Sequence, residues 1–340
     1  MTVMVRAQRR VEVGELLPGE GALSVAADIY IPPRLRSPPT ALFCLPGGAL
    51  SRGYYDLQPD HGPQPDRGLR PDQSPESAQA ADDFSFARSL AARGFIVVTL
   101  DLLGVGGSSR PRDGFELTPD VLTKANAVAV EQICGDLRAG GLAGGGQRLD
   151  ELRAIGVGHS MGAMLTVMQQ ARECQHVGLM LLGYSTRGLA PALSPDEAGF
   201  ADDPAGARQN VVRLARARSP EPYPEIVSSE GRSLFAGKGA DRRGVEALQA
   251  ARTQLLVTAG LFAMIPGSSA PECARLEIPL FLAVGDRDIA GPPHEIPASF
   301  PASPEVTLLV LPATGHCHFL FASRRRLFAR AADWLEAVVP

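Results

Sequence analysis

Long apolar runs are missing from this sequence. No segment of the 340 residues approaches the ~20 consecutive apolar residues that a membrane-spanning helix needs. Met1 to Val13, MTVMVRAQRRVEV, has basic residues but neither an apolar centre nor a small-residue cleavage site, so it does not read as a secretory leader. The expected location is cytoplasmic. Paired cysteines are missing as well. Cys44, Cys134, Cys174, Cys273 and Cys317 are odd in number and scattered. None forms C-x-x-C, which fits reduced thiols better than a disulfide frame. A dominant charge is the third absence. The formal net charge is −4, and acids interleave with the arginines, leaving no electrostatic case for nucleic acid or an anionic membrane as partner. No internal repeat is present.

What remains is an ordinary globular composition, 45% hydrophobic and 21% charged, long enough for one large α/β domain with an insertion or for two domains. Short apolar runs alternate with helical patterns, which implies a mostly parallel sheet covered on both faces. Arg10 to Leu16 and Ala22 to Ile31 look like an antiparallel start. Strands are then expected at Ala41 to Leu45, Phe95 to Leu100, Ala154 to Val157, Val177 to Leu182, Pro279 to Val284 and Val306 to Leu311. Helices are expected at Ser77 to Arg93, Pro119 to Ala139, Met161 to Glu173 and Ser323 to Val338. In the last, Leu327, Phe328, Ala331, Trp334, Leu335 and Val338 recur at the spacing of a buried face, which makes the single tryptophan a core residue.

Two segments break the rhythm. Leu57 to Ser77 is rich in Pro, Asp, Gln and Gly without an apolar period, and reads equally as a lid or as a long irregular loop. From about Thr186 to Glu277 there are helical stretches (Ala205 to Arg218, Gly244 to Leu256) but no strand that would extend the sheet. The expected division is therefore a core at 1–185 and 278–340, with a helical cap at 186–277. Phe235, Leu261, Phe262 and Met264 are its candidates for lining an entrance, with cap core as the alternative. Gly140 to Gly146 reads as a surface connection.

The chemistry centres on Gly158-His159-Ser160-Met161-Gly162. Flanked by a strand and a helix, G-x-S-x-G describes a tight turn that presents its serine at the carboxyl edge of the sheet. The plainer alternative is a helix cap, for which serine is common. A serine hydroxyl is a weak nucleophile and needs a base and an orienting acid. Of the six histidines, His316 follows the last strand in Pro-Ala-Thr-Gly-His. His318 is its competitor, and His61, His176 and His294 lack such a context. His159 should point away from the serine and pack. The acid should follow another strand: Gly285-Asp286-Arg287-Asp288 offers Asp288 first and Asp286 in reserve, with a turn-forming aspartate as the plainer reading. The order Ser160, Asp288, His316 is the one expected of such a sheet. Two backbone N–H groups should meet a developing oxyanion: that of Met161, and one from Pro46-Gly47-Gly48-Ala49, where Gly48 leads and Ala49 follows. Tyr54 and Tyr55 could line the pocket or be ordinary surface tyrosines. His159 and Phe262 complete the candidate contacts.

These motifs, with Gly315-His316 and the turn Asp101-Leu-Leu-Gly-Val-Gly-Gly-Ser108, make the sequence resemble the α/β-hydrolase fold family over most of the chain outside the two irregular segments. The resemblance implies an eight-stranded, mostly parallel sheet, a helical cap, and hydrolysis of an ester or related acyl compound through an acyl-enzyme. No cofactor or metal is expected. Pro46 stands where many members carry His before Gly.

The same triad could serve a carboxylesterase, lactonase, thioesterase, acyltransferase or carbon–carbon bond hydrolase. Dehalogenases and epoxide hydrolases use a carboxylate in place of Ser160. A dinucleotide-binding oxidoreductase fails because Ser109 and Met161 stand where a third glycine is required. A metal hydrolase built on His316, Cys317 and His318 lacks further ligands at recognisable spacing. A non-catalytic binding member of the fold would be expected to have lost part of the triad, and all three residue types are present.

Overall fold

The computed structural model describes residues 4–59, 84–141, 147–226 and 236–339. Eight strands form one sheet: β1 (Val5–Gly14), β2 (Leu23–Ile31), β3 (Thr40–Leu45), β4 (Ile96–Leu100), β5 (Arg153–His159), β6 (Gly178–Leu182), β7 (Leu280–Gly285) and β8 (Val306–Leu311). Their spatial order is β1-β2-β4-β3-β5-β6-β7-β8. β1 pairs antiparallel with β2, and β2 antiparallel with β4. The remaining pairings are all parallel. β3, β4, β6 and β7 are buried at every position, as strands covered on both faces must be. Their unbroken apolar runs follow from that.

The helices are α1 (Phe86–Ala91), α2 (Pro119–Ala139), α3 (Met161–Glu173), α4 (Pro195–Ala198), α5 (Pro204–Arg218), α6 (Arg242–Ala251), α7 (Val257–Met264), α8 (Ala270–Cys273) and α9 (Arg324–Val338). α2 shows why such boundaries are readable. The Thr118 hydroxyl accepts from Val121 N–H, proline occupies the first turn, and Gly140 ends the helix at φ 81°, where a residue without Cβ is favoured. α9 buries Leu327, Phe328, Ala331, Trp334 and Leu335.

Two expectations need correction. Gly244 to Leu256 is not one helix. α6 stops at Ala251 because the following residues run extended beside the loop after β3. There Ser51 N–H donates to Ala251 O at 2.8 Å, Thr253 N–H donates to Ala49 O at 3.0 Å, and Leu50 bridges Arg252. Tertiary pairing overrides a favourable helical composition. The helix expected at Ser77 to Arg93 is, among the described residues, only the six-residue α1: Ser85 caps its start by accepting Arg88 N–H and it ends at Ala91, with 77–83 outside the described residues. Most of the irregular segment Leu57 to Ser77, together with His61, also lies outside them, as do Phe235 and 142–146.

Asp101, fully buried at the end of β4, fastens the same loop from the other side. Its carboxylate accepts from the Arg52 backbone N–H at 2.7 Å, from the Arg52 guanidinium and from Gly107 N–H at 2.7 Å. The glycine-rich turn after β4 thus wraps a carboxylate. Among the described residues no helix is long and apolar enough to cross a membrane.

Candidate active site

β3, β5, β6, β7 and β8 all end at one sheet edge, so the loops after them meet although they are far apart in sequence. Leu45 lies opposite Gly158, and His159 opposite Leu182. At the end of β5 the chain turns abruptly into α3, with Ser160 at φ 53°, ψ −121°, a region costly for a residue with a Cβ. The flanking glycines are sterically required. A Cβ at Gly162 would stand 2.3 Å from Leu45 O, and one at Gly158 2.3 Å from Ala163 Cα. Ser160 occupies the cap position of α3 but makes no capping bond, which removes the plain helix-cap reading. Its Oγ faces the β8 loop instead.

There Ser160 Oγ donates to His316 Nε2 at 2.9 Å, and His316 Nδ1–H donates to Asp288 Oδ1 at 2.7 Å. Asp288 also accepts from Ala290 N–H at 3.0 Å. Burial by itself would raise the Asp288 carboxyl. The bonded imidazoles of His316 and His318 outweigh it and hold the group well below the usual carboxylate range, so it is an anion at any working pH. Asp286 does something different. It is largely exposed and accepts from Ala313 N–H at 2.9 Å and Thr314 N–H at 3.0 Å, which ties the end of β7 to the loop that carries His316. Those backbone bonds lower its proton affinity.

His318 does not compete for the serine. Fully buried, it donates from Nε2 to the other oxygen of Asp288 at 2.7 Å. His159 is more than packing. Its Nε2–H donates to the His316 carbonyl at 3.0 Å, and its ring lies 4.8 Å from that of His316. Burial first, and then the neighbouring imidazoles, push it well below the usual imidazole range, so it stays neutral.

A cavity of about 160 Å³ opens over Ser160. Gly47, Gly48, Met161 and His159 lie at its base. As the first residue of α3, Met161 has an N–H without an intrahelical partner. The opposite wall comes from the inserted segment through Leu255, Gly260, Ala263 and Met264. Among the described residues no Asp, Glu, Lys or Arg lines it.

Four candidate contacts fall elsewhere. Tyr54 and Tyr55 are fully buried and do not reach the cavity. Tyr54 stacks on Phe319 and lies against His159, and Tyr55 donates its hydroxyl to Leu45 O at 2.9 Å. Burying two large rings under the loop was energetically preferable to exposing them. Phe262, like Leu261, is fully buried in the main apolar cluster, with Arg208 of α5 over its ring. Ala49, at φ 58°, is buried behind Gly48. Conversely, Gly183, Tyr184 and Ile289 line the cavity and were not foreseen. Gly183 carried a signal: a glycine closing an apolar strand marks a close approach. A Cβ there would stand 3.1 Å from Asp288 Oδ2 and 3.2 Å from His316 Nδ1.

Residues 42–331 match the model of the Alpha/beta hydrolase family. Among solved structures, a thermophilic esterase from Thermogutta terrifontis is similar over 97% of this chain and 99% of its own, at TM-score 0.58 and 16% identity. A peroxisomal alpha-beta-hydrolase from Saccharomyces cerevisiae is similar over 100% of this chain and 90% of its own, at TM-score 0.59 and 13% identity. A structure from work on carboxylesterases of the thaumarchaeon Nitrososphaera gargenis is similar over 95% and 97%, at TM-score 0.55 and 15% identity. Identities this low speak for the fold. No curated protein matches the sequence.

Proposed function

The chain belongs to the alpha/beta hydrolase family, and from that premise we propose that it is a serine hydrolase cleaving uncharged, small or medium hydrophobic carboxylic esters or lactones through an acyl-enzyme. The observation that carries this is the unbroken line from Ser160 Oγ through the His316 ring to Asp288, at 2.9 and 2.7 Å. Distances of this order are what proton transfer requires. Segment 186–277 acts as the cap, since its apolar side chains form the wall facing Ser160.

In this reading Ser160 Oγ attacks the ester carbonyl carbon while its proton passes to His316 Nε2. The Asp288 anion steadies the imidazolium. The Met161 and Gly48 N–H groups receive the oxyanion. The tetrahedral adduct collapses, the C–O bond to the alcohol breaks, and the alcohol leaves with the proton from His316. Water then gives its proton to His316 as its oxygen attacks the acyl-enzyme. The acid departs and Ser160 regains its proton. A wall without charged side chains offers a substrate carboxylate or ammonium no partner, and such a group would pay its desolvation unrelieved. This favours uncharged acyl groups.

Ser160→Ala is the test. Turnover of p-nitrophenyl esters and lactones should fall by roughly a thousandfold or more, and a serine-directed fluorophosphonate should label the parent protein but not the variant. Near-normal activity of a folded Ser160→Ala would end the proposal.

A further inference from the structure

Asp288 is shared between two imidazoles. Its Oδ1 receives His316 Nδ1–H and Ala290 N–H, and its Oδ2 receives His318 Nε2–H, both imidazole bonds at 2.7 Å. A carboxylate oxygen can only accept, so the proton of the second bond belongs to His318. The other ring nitrogen of His318, Nδ1, is buried and has no hydrogen-bond partner. A cationic His318 would bury an N–H there without an acceptor, which is costly. His318 is therefore neutral, in the tautomer protonated on Nε2.

The other titratable groups facing this cluster are His159, whose ring lies 6.0 Å from that of His318, Cys317 and Tyr54. Each is buried. Burial pushes the thiol and the phenol up and His159 down, so all three are uncharged. Asp286, exposed beside the cluster, spends its charge on Ala313 and Thr314 N–H; within the resting relay itself the charge is the Asp288 carboxylate, and two ring N–H donors divide it.

We propose that His318 is a positioning residue of the relay: it occupies the second oxygen of Asp288 and thereby limits how strongly the first oxygen binds the proton of His316. A hydrogen bond donated to one oxygen of a carboxylate draws charge from the other. With His318 absent, Oδ2 is left buried and bare while Oδ1 remains held by Ala290 N–H. The negative charge then concentrates on the side of His316, whose imidazolium becomes harder to discharge. At neutral pH a larger share of His316 is cationic and unable to take the Ser160 proton. For that catalytic consequence the inference rests on the serine-hydrolase reading above. For its electrostatic part it does not.

The experiment uses the full chain with ¹⁵N-labelled histidine. His316 is titrated by NMR in the parent protein, in His318→Phe and in His318→Gln, whose amide N–H can replace the ring donor. In His318→Phe the midpoint of His316 should rise by about one pH unit. The acid limb of kcat/KM for p-nitrophenyl butyrate should move with it, so that activity lost at neutral pH returns at higher pH. His318→Gln should keep both near the parent values. A folded His318→Phe with His316 unmoved or lowered overturns the proposal. So does a loss of kcat at every pH with the limb in place, which would mean that His318 only packs. Should His318→Phe not fold, the parent protein and His318→Gln decide: the ¹⁵N shifts must show His318 protonated on Nε2, and a His318 protonated on Nδ1 refutes the inference. A shifted His316 in a protein without Ser160-dependent esterase activity would sink the functional reading and leave this one standing.

Discussion

At the scale of single residues the site is governed by what has no room. Ser160 holds a strained backbone because α3 must start within one residue of the end of β5. The strain persists only because the neighbours allow no alternative. Gly162 is the sharpest case: its missing Cβ makes way for the carbonyls of Leu45 and Pro46, at 2.3 and 2.4 Å from where that atom would be. Both obstacles are backbone and cannot rotate away. Gly162→Ala is therefore expected to destabilise the fold by about 1–3 kcal/mol through overpacking. It should also displace β3 from α3, dragging Gly48 away from Met161 and lowering kcat. Urea unfolding and ester turnover measured together would check this. Unchanged stability would mean that the strand edge yields more readily than close packing allows.

At the scale of elements, the loop after β3 is held between two supports. Asp101 at the end of β4 fixes Arg52, and the extended strap after α6 pairs with Ala49, Leu50 and Ser51. The inserted segment thus carries two duties, forming the cavity wall through Leu255 and steadying the loop that presents Gly48. Thr253→Pro separates these duties. Proline deletes the N–H that donates to Ala49 O, and the preceding Arg252, at φ −74° and ψ 146°, already has the extended backbone that proline demands of its predecessor. One hydrogen bond, worth about 0.5–1.5 kcal/mol, is lost. If the loop supplies an oxyanion donor, that loss falls on the transition state, and kcat should drop about tenfold with KM little changed. A rise in KM alone would show that the strap shapes binding and leaves the oxyanion untouched.

At the scale of the whole molecule, helices of the segment between β6 and β7 share a core with the sheet. Val211 and Leu214 of α5 and Leu261 and Phe262 of α7 belong to the same buried apolar cluster as Met164 and Leu165 of α3 and Leu179 of β6. The fold also buries imidazoles that it keeps uncharged. His176, before β6, has its proton affinity lowered by burial from 6.5 to about 4, and His159 moves in the same direction. A base whose folded value is depressed leaves the unfolded chain binding more protons. Its share of stability is then complete above pH 6.5 and drains away as the pH falls toward 4. For His176 that share is about 3 kcal/mol across the window, of which about 2 kcal/mol is gone by about pH 5. Chemical unfolding at about pH 7.5 and about pH 5 should show this loss in the parent protein and a smaller one in His176→Gln. Equal losses in both would place the acid sensitivity elsewhere.

Local chemistry was enough to read several features from the sequence. β3, β4, β6 and β7 are short apolar runs because both their faces are covered, and the half-buried edge strand β8 falls at Val306–Leu311, as its composition predicts. The turn at Ser160 is legible because strand, Gly-x-Ser-x-Gly and helix are consecutive and the exclusion at Gly158 comes from Ala163 close by, whereas that at Gly162 comes from the distant Leu45 and Pro46 carbonyls. Which partners meet across the sheet edge was not legible in the same way. Asp286 and Asp288 follow the same strand two residues apart, and His316 and His318 flank one cysteine. Only the path of the β7 and β8 loops sends Asp286 to backbone N–H groups, Asp288 to both imidazoles, and His316 alone to Ser160. Burial of Tyr54 and Tyr55, and the break after α6, were likewise decided by neighbours 100 or more residues away: Phe319 beneath the rings and Ala49 beside the strap. Short-range sterics and periodicity are written in consecutive residues. The direction of a buried side chain depends on distant segments competing for the same space, and that competition is settled only when the chain has packed.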